Sequence, residues 1–317
     1  MNIEEDYMSD IKGINSNAAA HNFKKNNEMN ITGKDKKKAV SNENMGNPTF
    51  QVNKLFVEIH LKIKTESKNF FLKTNSQPNG LDMFEAEKEA INTISNTKTI
   101  ATPKVYDCNS INNTAFLLLE FIEPKYPESN DFKVFGSKLA QLHNSSSSYF
   151  GFNNHNYIGC LHQNNTKHNN WSNFYIEERL IPQLHLAYSK GLLNSNEIPD
   201  QEILKYVCSP FFEKVKPSLL HGDLWSGNYI ISKSGIPFLI DPSIYFGHHE
   251  VDIAMSQLFG GFAPEFYEEY YKHKPKDNHT DRRIELYQLY YLLVHLNLFG
   301  KSYYKNVKGI LNQFFKL

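Results

Sequence analysis

The chain has few cysteines, no net charge and no long apolar run. Its 317 residues hold only Cys108, Cys160 and Cys208, which are far apart and free of any C-x-x-C spacing. That pattern argues against a disulfide framework or a structural zinc site and for a reducing compartment. The 34 basic residues are balanced by 34 acidic ones, so no overall field favours nucleic acid or an anionic membrane, and the expected partner is small or local. The N-terminus lacks the apolar core of a signal peptide, and no segment reaches the length of a membrane helix. These absences predict a soluble, cytoplasmic protein, monomeric or weakly dimeric, that binds neither nucleic acid nor membrane. What is present is 40% hydrophobic and 14% aromatic content, enough to bury a large core in one two-lobed unit or two domains.

Residues 1–48 are rich in Asn and Lys and carry no sustained apolar period, so they cannot bury enough surface to offset the entropy of ordering and are expected to be a disordered tail. Order begins near Phe50. Val57, Ile59, Leu61 and Ile63 alternate with polar residues, which marks a half-buried strand, and a polar turn leads to a second strand, FFLK, ending at Lys73. Leu81, Phe84, Ile91 and Ile94 then recur at helical intervals and predict a helix of about four turns. Residues 103–107 and 115–122 read as two further strands, and Pro124 with Pro127 closes a first lobe, 49–125, expected to hold five strands. Residues 126–317 form a second, mainly helical lobe with helices near 132–142, 171–188, 203–212, 251–259, 264–271, 283–299 and 307–315. The stretch 144–170, full of Asn, Gly, Ser and His, shows no period and is expected to be a long functional or mobile loop.

Within the helical half, residues 219–241, LLHGDLWSGNYIISKSGIPFLID, place His221, Asp223, Asn228 and Asp241 between short apolar runs that read as buried strands. Asp223 and Asn228 have the D-x-x-x-x-N spacing of kinase catalytic loops, in which the Asp orients an acceptor hydroxyl and the Asn holds a metal ion. A turn at 233–235 would fold one strand back on the other and return Asp241 to Asn228, so that two oxygen ligands converge. His221 fits a scaffold role, bonding backbone within the loop. Lys73, at the end of an apolar strand, and Glu87, fourteen positions later on a helix, suit a buried ion pair that aims an ammonium at ATP phosphates. Glu85 and Glu89 compete with Glu87 for that place.

HGDLWSGN (221–228), IDPSIYFGHHEVDIAM (240–255) and LFGGF (258–262) resemble the fructosamine-3-kinase, or ketosamine-3-kinase, family, relatives of aminoglycoside and choline kinases. The resemblance extends through FFLKTN, MFEAE, LAQLH, the W-x-x-F-Y-x-x-x-R-L-x-P-Q-L pattern from Trp171 and LYQLYYLL, and covers about residues 50–317. It implies an α/β (α+β) protein-kinase-like fold, with a small N-lobe of antiparallel sheet plus one helix and a larger, mainly helical C-lobe. It also implies ATP with magnesium as cofactors, and transfer of the γ-phosphoryl to the O3 hydroxyl of free or protein-bound ketosamines, whose 3-phosphates then break down to free amine and so repair glycated proteins. Residue by residue, it makes Lys73 the phosphate-binding lysine, Glu87 its partner, Asp223 the base or hydroxyl orienter, and Asn228 and Asp241 the metal ligands. The chemistry is consistent, because phosphoryl transfer asks a protein mainly for positioning and charge neutralisation.

Acceptor residues follow less directly. Trp225 is the selectivity candidate, since an indole face stacks on sugars and attracts cationic amines. Trp171 suits core packing and the wall of an acceptor groove equally. Glu250 and Asp252 could bind the acceptor amine, although acids are favoured at a helix start in any case. One departure stands out: MGNPTFQVNKLFVEI (45–59) has only Gly46, where the family has a Gly- and Ser-bearing loop whose backbone approaches the phosphates. Two other readings are a kinase for a different hydroxylated amine, such as an aminoglycoside or choline, and a nucleotide-binding scaffold without catalysis.

Overall fold

The structure is a computed structural model that describes residues 58–66 and 68–316; the 1–48 tail and the glycine-poor segment up to residue 57 lie outside the described residues. Strand β1 (Glu58–Lys64) pairs antiparallel with β2 (Asn69–Asn75), and His60 stands opposite Lys73. Helix α1 (Gly80–Asn96) follows, then β3 (Val105–Ile111) and β4 (Thr114–Glu120). The antiparallel sheet runs β1-β2-β4-β3, four strands among the described residues against the five expected. Alternation along β4 buries Ala115, Leu117 and Leu119 on one face. Phe84 and Ile91 of α1 cover that face to form a small core, while Ala90 and Ile94 of the same helix belong to the much larger core below.

Helix α2 (Ser129–Leu142) begins where the Glu128 N–H donates to Asp131 Oδ2 at 2.8 Å, which satisfies one of the free donors of a helix start. A Cβ at Gly136 would stand 2.2 Å from the Phe266 carbonyl oxygen, so glycine sets how closely α2 meets a later helix. Residues 144–170 are not structureless as expected. They hold a hairpin, β5 (Asn156–Ile158) with β6 (Leu161–Gln163). The predicted helix at 171–188 is α3 (Trp171–Phe174) and α4 (Ile181–Ser189) joined by a π-helical turn, Tyr175–Leu180.

Helix α5 (Gln201–Phe212) is capped by Asp200, whose carboxylate accepts the Ile203 N–H at 2.8 Å. Four short strands follow: β7 (Ser218–Leu219), β8 (Tyr229–Ile231), β9 (Pro237–Leu239) and β10 (Phe246–Gly247). They pair β7 with β10 and β8 with β9. Helices α6 (Glu250–Leu258), α7 (Pro264–His273), α8 (Thr280–Phe299) and α9 (Tyr304–Phe315) complete the second lobe. Helix α8 buries Tyr287, Tyr290, Tyr291, Leu293 and Leu296, the core helix its composition predicts. Among the described residues no helix is long and apolar enough to cross a membrane. All three cysteines are free; Cys208 is buried, and Cys108 and Cys160 are half-buried.

Candidate active site

The loop between β7 and β8 is held from behind by Asp252, at the start of α6. Its carboxylate accepts the His221 N–H at 2.8 Å and the Gly222 N–H at 2.9 Å, and His143 Nε2 lies 3.0 Å away. His221 Nε2 donates to the Ile240 carbonyl at 2.9 Å, and its Nδ1 accepts the Asp223 N–H at 3.2 Å. That fixes the Nε2–H tautomer and the scaffold role expected of it. Gly222 adopts φ +84°, and a Cβ there would lie 2.1 Å from the Ser243 carbonyl oxygen, so both conformation and space demand glycine. The β8–β9 hairpin pairs Tyr229 with Leu239, and the Ile240 N–H donates to the Asn228 carbonyl at 3.1 Å. This returns Asp241 to Asn228 as the turn at 233–235 predicts. Asp241 sits at φ +54°, a left-handed conformation that Asp tolerates better than most residues.

Lys73 reaches the same place from the sheet. Its ammonium, 3% exposed as a residue, lies 2.7 Å from Glu87 Oε2, 3.0 Å from Asp241 Oδ1 and 3.7 Å from Glu58 Oε2. Burial works against its charge, but Asp241 and Glu87 outweigh burial and raise its pKa. Burial, together with the charge of Asp241, pushes Glu87 up against the pull of Lys73. Asp241 is also pushed up by burial, yet Lys73 holds it below the usual carboxylate range. Its side chain keeps 38% exposure, so it forms a wall of the cleft rather than part of the core. Three carboxylates around one ammonium make a site that would favour an added cation.

Lys73, Glu87, Asp223, Trp225, Asn228 and Asp241 all line one cleft of about 350 Å³. Burial first, then the negative charge of Asp241, pushes Asp223 up to about 7, with the Asn228 hydrogen bond pulling the other way. Asn228 Nδ2 donates to the Asp223 carbonyl at 2.9 Å and to Asp223 Oδ2 at 3.0 Å. That orientation leaves Asn228 Oδ1 as an acceptor. With the Asp241 carboxylate it makes an all-oxygen donor set, which fits a hard divalent cation. Trp225 is 39% exposed. A Cβ at Gly227 would lie 2.4 Å from two of its ring atoms, so the indole folds over a glycine.

Three sequence candidates do not face the cleft. Trp171 is 1% exposed, stacked on Phe174 at 5.6 Å with its Nε1–H donated to Tyr287 Oη at 2.9 Å; it is a core residue, because helix α8 supplies the partner that satisfies its N–H. Glu250 is buried and bound by Arg283 through two bonds of 2.6 and 2.7 Å, so its charge is already paired. Asp252 is spent on backbone donors of the loop between β7 and β8. Conversely, Glu58 and the β5–β6 hairpin were not foreseen. Glu58 is the diagonal neighbour of Lys73 on the same sheet face, which the alternation of β1 and the register could have signalled. Asn156, Tyr157 and Gly159 line the cleft from the hairpin. Asn156 Nδ2 donates to the Ile244 carbonyl at 2.8 Å, and Ser243 Oγ donates to the Tyr157 carbonyl at 2.7 Å.

Comparison with known proteins agrees with this geometry. A family model described as fructosamine kinase matches residues 34–316. A probable ketoamine kinase of Enterococcus faecium is 39% identical over 80% of this chain and 90% of its own length. A chloroplastic protein-ribulosamine 3-kinase of Arabidopsis thaliana is 35% identical over 80% of this chain and 78% of its own. A crystal structure from Haemophilus somnus, provisionally described as a fructosamine-3-kinase, superposes with a TM-score of 0.74 at 30% identity, covering 81% of this chain and 88% of that one. The sheet-bearing and helical lobes, the lysine, aspartates and asparagine gathered in the cleft, and these likenesses lead to one conclusion: the chain belongs to the fructosamine kinase family.

Proposed function

We propose that the chain is an ATP- and magnesium-dependent kinase that phosphorylates the O3 hydroxyl of ketosamines, free or attached to protein, and so serves in deglycation. The observation that carries this reading is the meeting of Lys73, Asp223, Asn228 and Asp241 in one cleft, although they come from different strands and loops. ATP supplies the phosphoryl group, and Asn228 and Asp241 would hold a divalent ion whose chemistry is charge neutralisation at the phosphates. Lys73, kept protonated by its carboxylate neighbours, adds a fixed positive charge for the phosphates. Glu87 holds that lysine in place. Asp223 orients the acceptor hydroxyl and takes its proton, a task suited to a carboxylate that titrates near neutrality. Trp225 presents its half-exposed indole, two residues from Asp223, to the sugar and the cationic amine.

The test is ADP release from magnesium-ATP across fructosamines, ribulosamines and erythrulosamines, with aminoglycosides and choline as controls. Turnover confined to the ketosamines, with phosphate located on O3 by NMR, is the expected result. Turnover confined to choline or an aminoglycoside would reject it.

A further inference from the structure

Lys73, Glu87, Asn228 and Asp241 account for only part of the cleft wall. Met83, Tyr157, Gly159, Trp225 and Ser243 line the same space and take no part in the charge cluster around Lys73. Among them Tyr157 combines three properties. Along β5 the side chains alternate: Asn156 and Ile158 are buried, and Tyr157 between them is half-buried on the other face, as the pleat of a strand requires. Its ring is backed by His162, its partner in the hairpin register, which meets it edge-on at 5.9 Å and 89°. Its hydroxyl bonds no protein group among the described residues, whereas those of other tyrosines near the loop are engaged: Tyr290 donates to Gln163 Oε1 at 2.6 Å and Tyr291 to the Gly222 carbonyl at 2.8 Å.

The support beneath the ring is firm. The Tyr157 carbonyl accepts the Ser243 hydroxyl at 2.7 Å, and Asn156 Oδ1 accepts from Gln163 at 2.8 Å and from Asn165 at 3.0 Å. A flat apolar face with a free hydroxyl, held in place and turned to a cleft, is preorganised to meet a polar ligand.

A ketosamine leaves its reacting carbon, C3, by two arms. One runs through the carbonyl carbon to the amine, and an indole such as Trp225 suits it. The other, from C4 onward, is a chain of hydroxyls that asks for hydrogen-bonding groups. Positions 3 and 4 lie at Asp223 and the phosphates whatever the sugar, so a wall outside the reacting machinery meets the positions beyond them. We propose that Tyr157 determines specificity for the sugar, its hydroxyl bonding one carried beyond C4; this rests on the function proposed above. The hairpin then favours amines of ketopentoses and ketohexoses over those of the ketotetrose, which ends at C4, without touching the reacting atoms.

The experiment measures kcat/KM with magnesium-ATP for ribulosyl-lysine and erythrulosyl-lysine, in the unaltered chain and in Tyr157→Phe. Phenylalanine keeps the ring and its contact with His162 and removes only the hydroxyl. The ratio of the two values, ribulosyl over erythrulosyl, is expected to fall about tenfold, with the loss in acceptor KM rather than in the KM for ATP. A ratio equal to that of the unaltered chain, whether both substrates lose activity or neither does, overturns the proposal, as does a loss carried by the KM for ATP. Turnover of neither ketosamine by the unaltered chain would instead reject the reading of the cleft, and the part of Tyr157 with it.

Discussion

At Asp223 the exchange of one oxygen for an amide separates positioning from proton transfer. Asp223→Asn keeps the size and the bond to Asn228 but cannot take the hydroxyl proton as a carboxylate does. Its kcat should fall by roughly 10² or more with acceptor KM nearly unchanged, and steady-state kinetics that show kcat preserved would take the base role from it. Gly227 offers a subtler test. Gly227→Ala places a methyl where the Trp225 indole now lies, 2.4 Å from its ring atoms, and the ring must move. Acceptor KM should rise by up to about tenfold, as for Trp225→Ala, with the KM for ATP unchanged; an unaltered acceptor KM in both variants would make Trp225 a bystander. Residues of this kind were legible in the sequence because phosphoryl transfer fixes both chemistry and spacing: D-x-x-x-x-N, a later Asp, and a strand lysine with a helix glutamate. Trp171, Glu250 and Asp252 were not. Their chemistry suits an acceptor site equally well, and what assigns them to the framework is a set of partners, Tyr287, Arg283 and His143, that sequence distance hides.

Among the elements, the β5–β6 hairpin and the π-helical turn act together. Arg179, in the wide turn, is fully buried. It donates to the Asn164 carbonyl, to Asn165 Oδ1 at 2.6 Å and to the Glu178 carbonyl at 3.0 Å, and its guanidinium lies 4.0 Å from the Tyr245 ring centroid. Asn165 in turn donates to Asn156 Oδ1 at 3.0 Å, so the arginine supports the strand that lines the cleft. A lysine cannot make this planar set of bonds. Arg179→Lys should cost roughly 2 to 4 kcal/mol of stability and raise acceptor KM; a urea midpoint equal to that of the unaltered chain would refute the support role. The long helices and the first two strands were readable from their periods of 3.6 and 2. The hairpin was not, because its strands are three residues long and are fixed by amide side chains rather than by alternation. The π turn has no period of its own, so it merged into one predicted helix.

For the molecule as a whole, the protein-kinase-like two-lobed architecture places several histidines in the lower core. His143 and His248 are buried. Burial first lowers the pKa of each, assisted at His248 by Arg283 and at His143 by Lys274, while Asp252 opposes it at His143. A depressed folded pKa means stability that is complete above the unfolded value, about 6.5, and lost as pH falls below it. Each such histidine should remove up to about 1.4 kcal/mol per pH unit in that range. Glu87 and Asp223, both pushed up in the folded chain, work the other way over the same range, so the histidine contribution is read by comparison: from pH 7.5 to pH 5.5 the urea midpoint of His248→Gln should fall less, or rise more, than that of the unaltered chain, and the same pH dependence in both would remove His248 from the account. The division of the cores has a different consequence, in the order in which the molecule opens. Helix α1 carries Glu87 toward the sheet, yet Ala90 and Ile94 root it in the larger core, and Glu89 accepts two bonds, of 2.9 and 3.1 Å, from Asn154 in the second lobe. This rooting predicts that the joint between sheet and helix, spanned by the Lys73–Glu87 pair, yields before the connection between the lobes. In deuterium exchange, amides of β1 and β2 should label early, while the last two turns of α1 keep the protection of the helical lobe, so the boundary between fast and slow labelling would cut through the upper lobe itself.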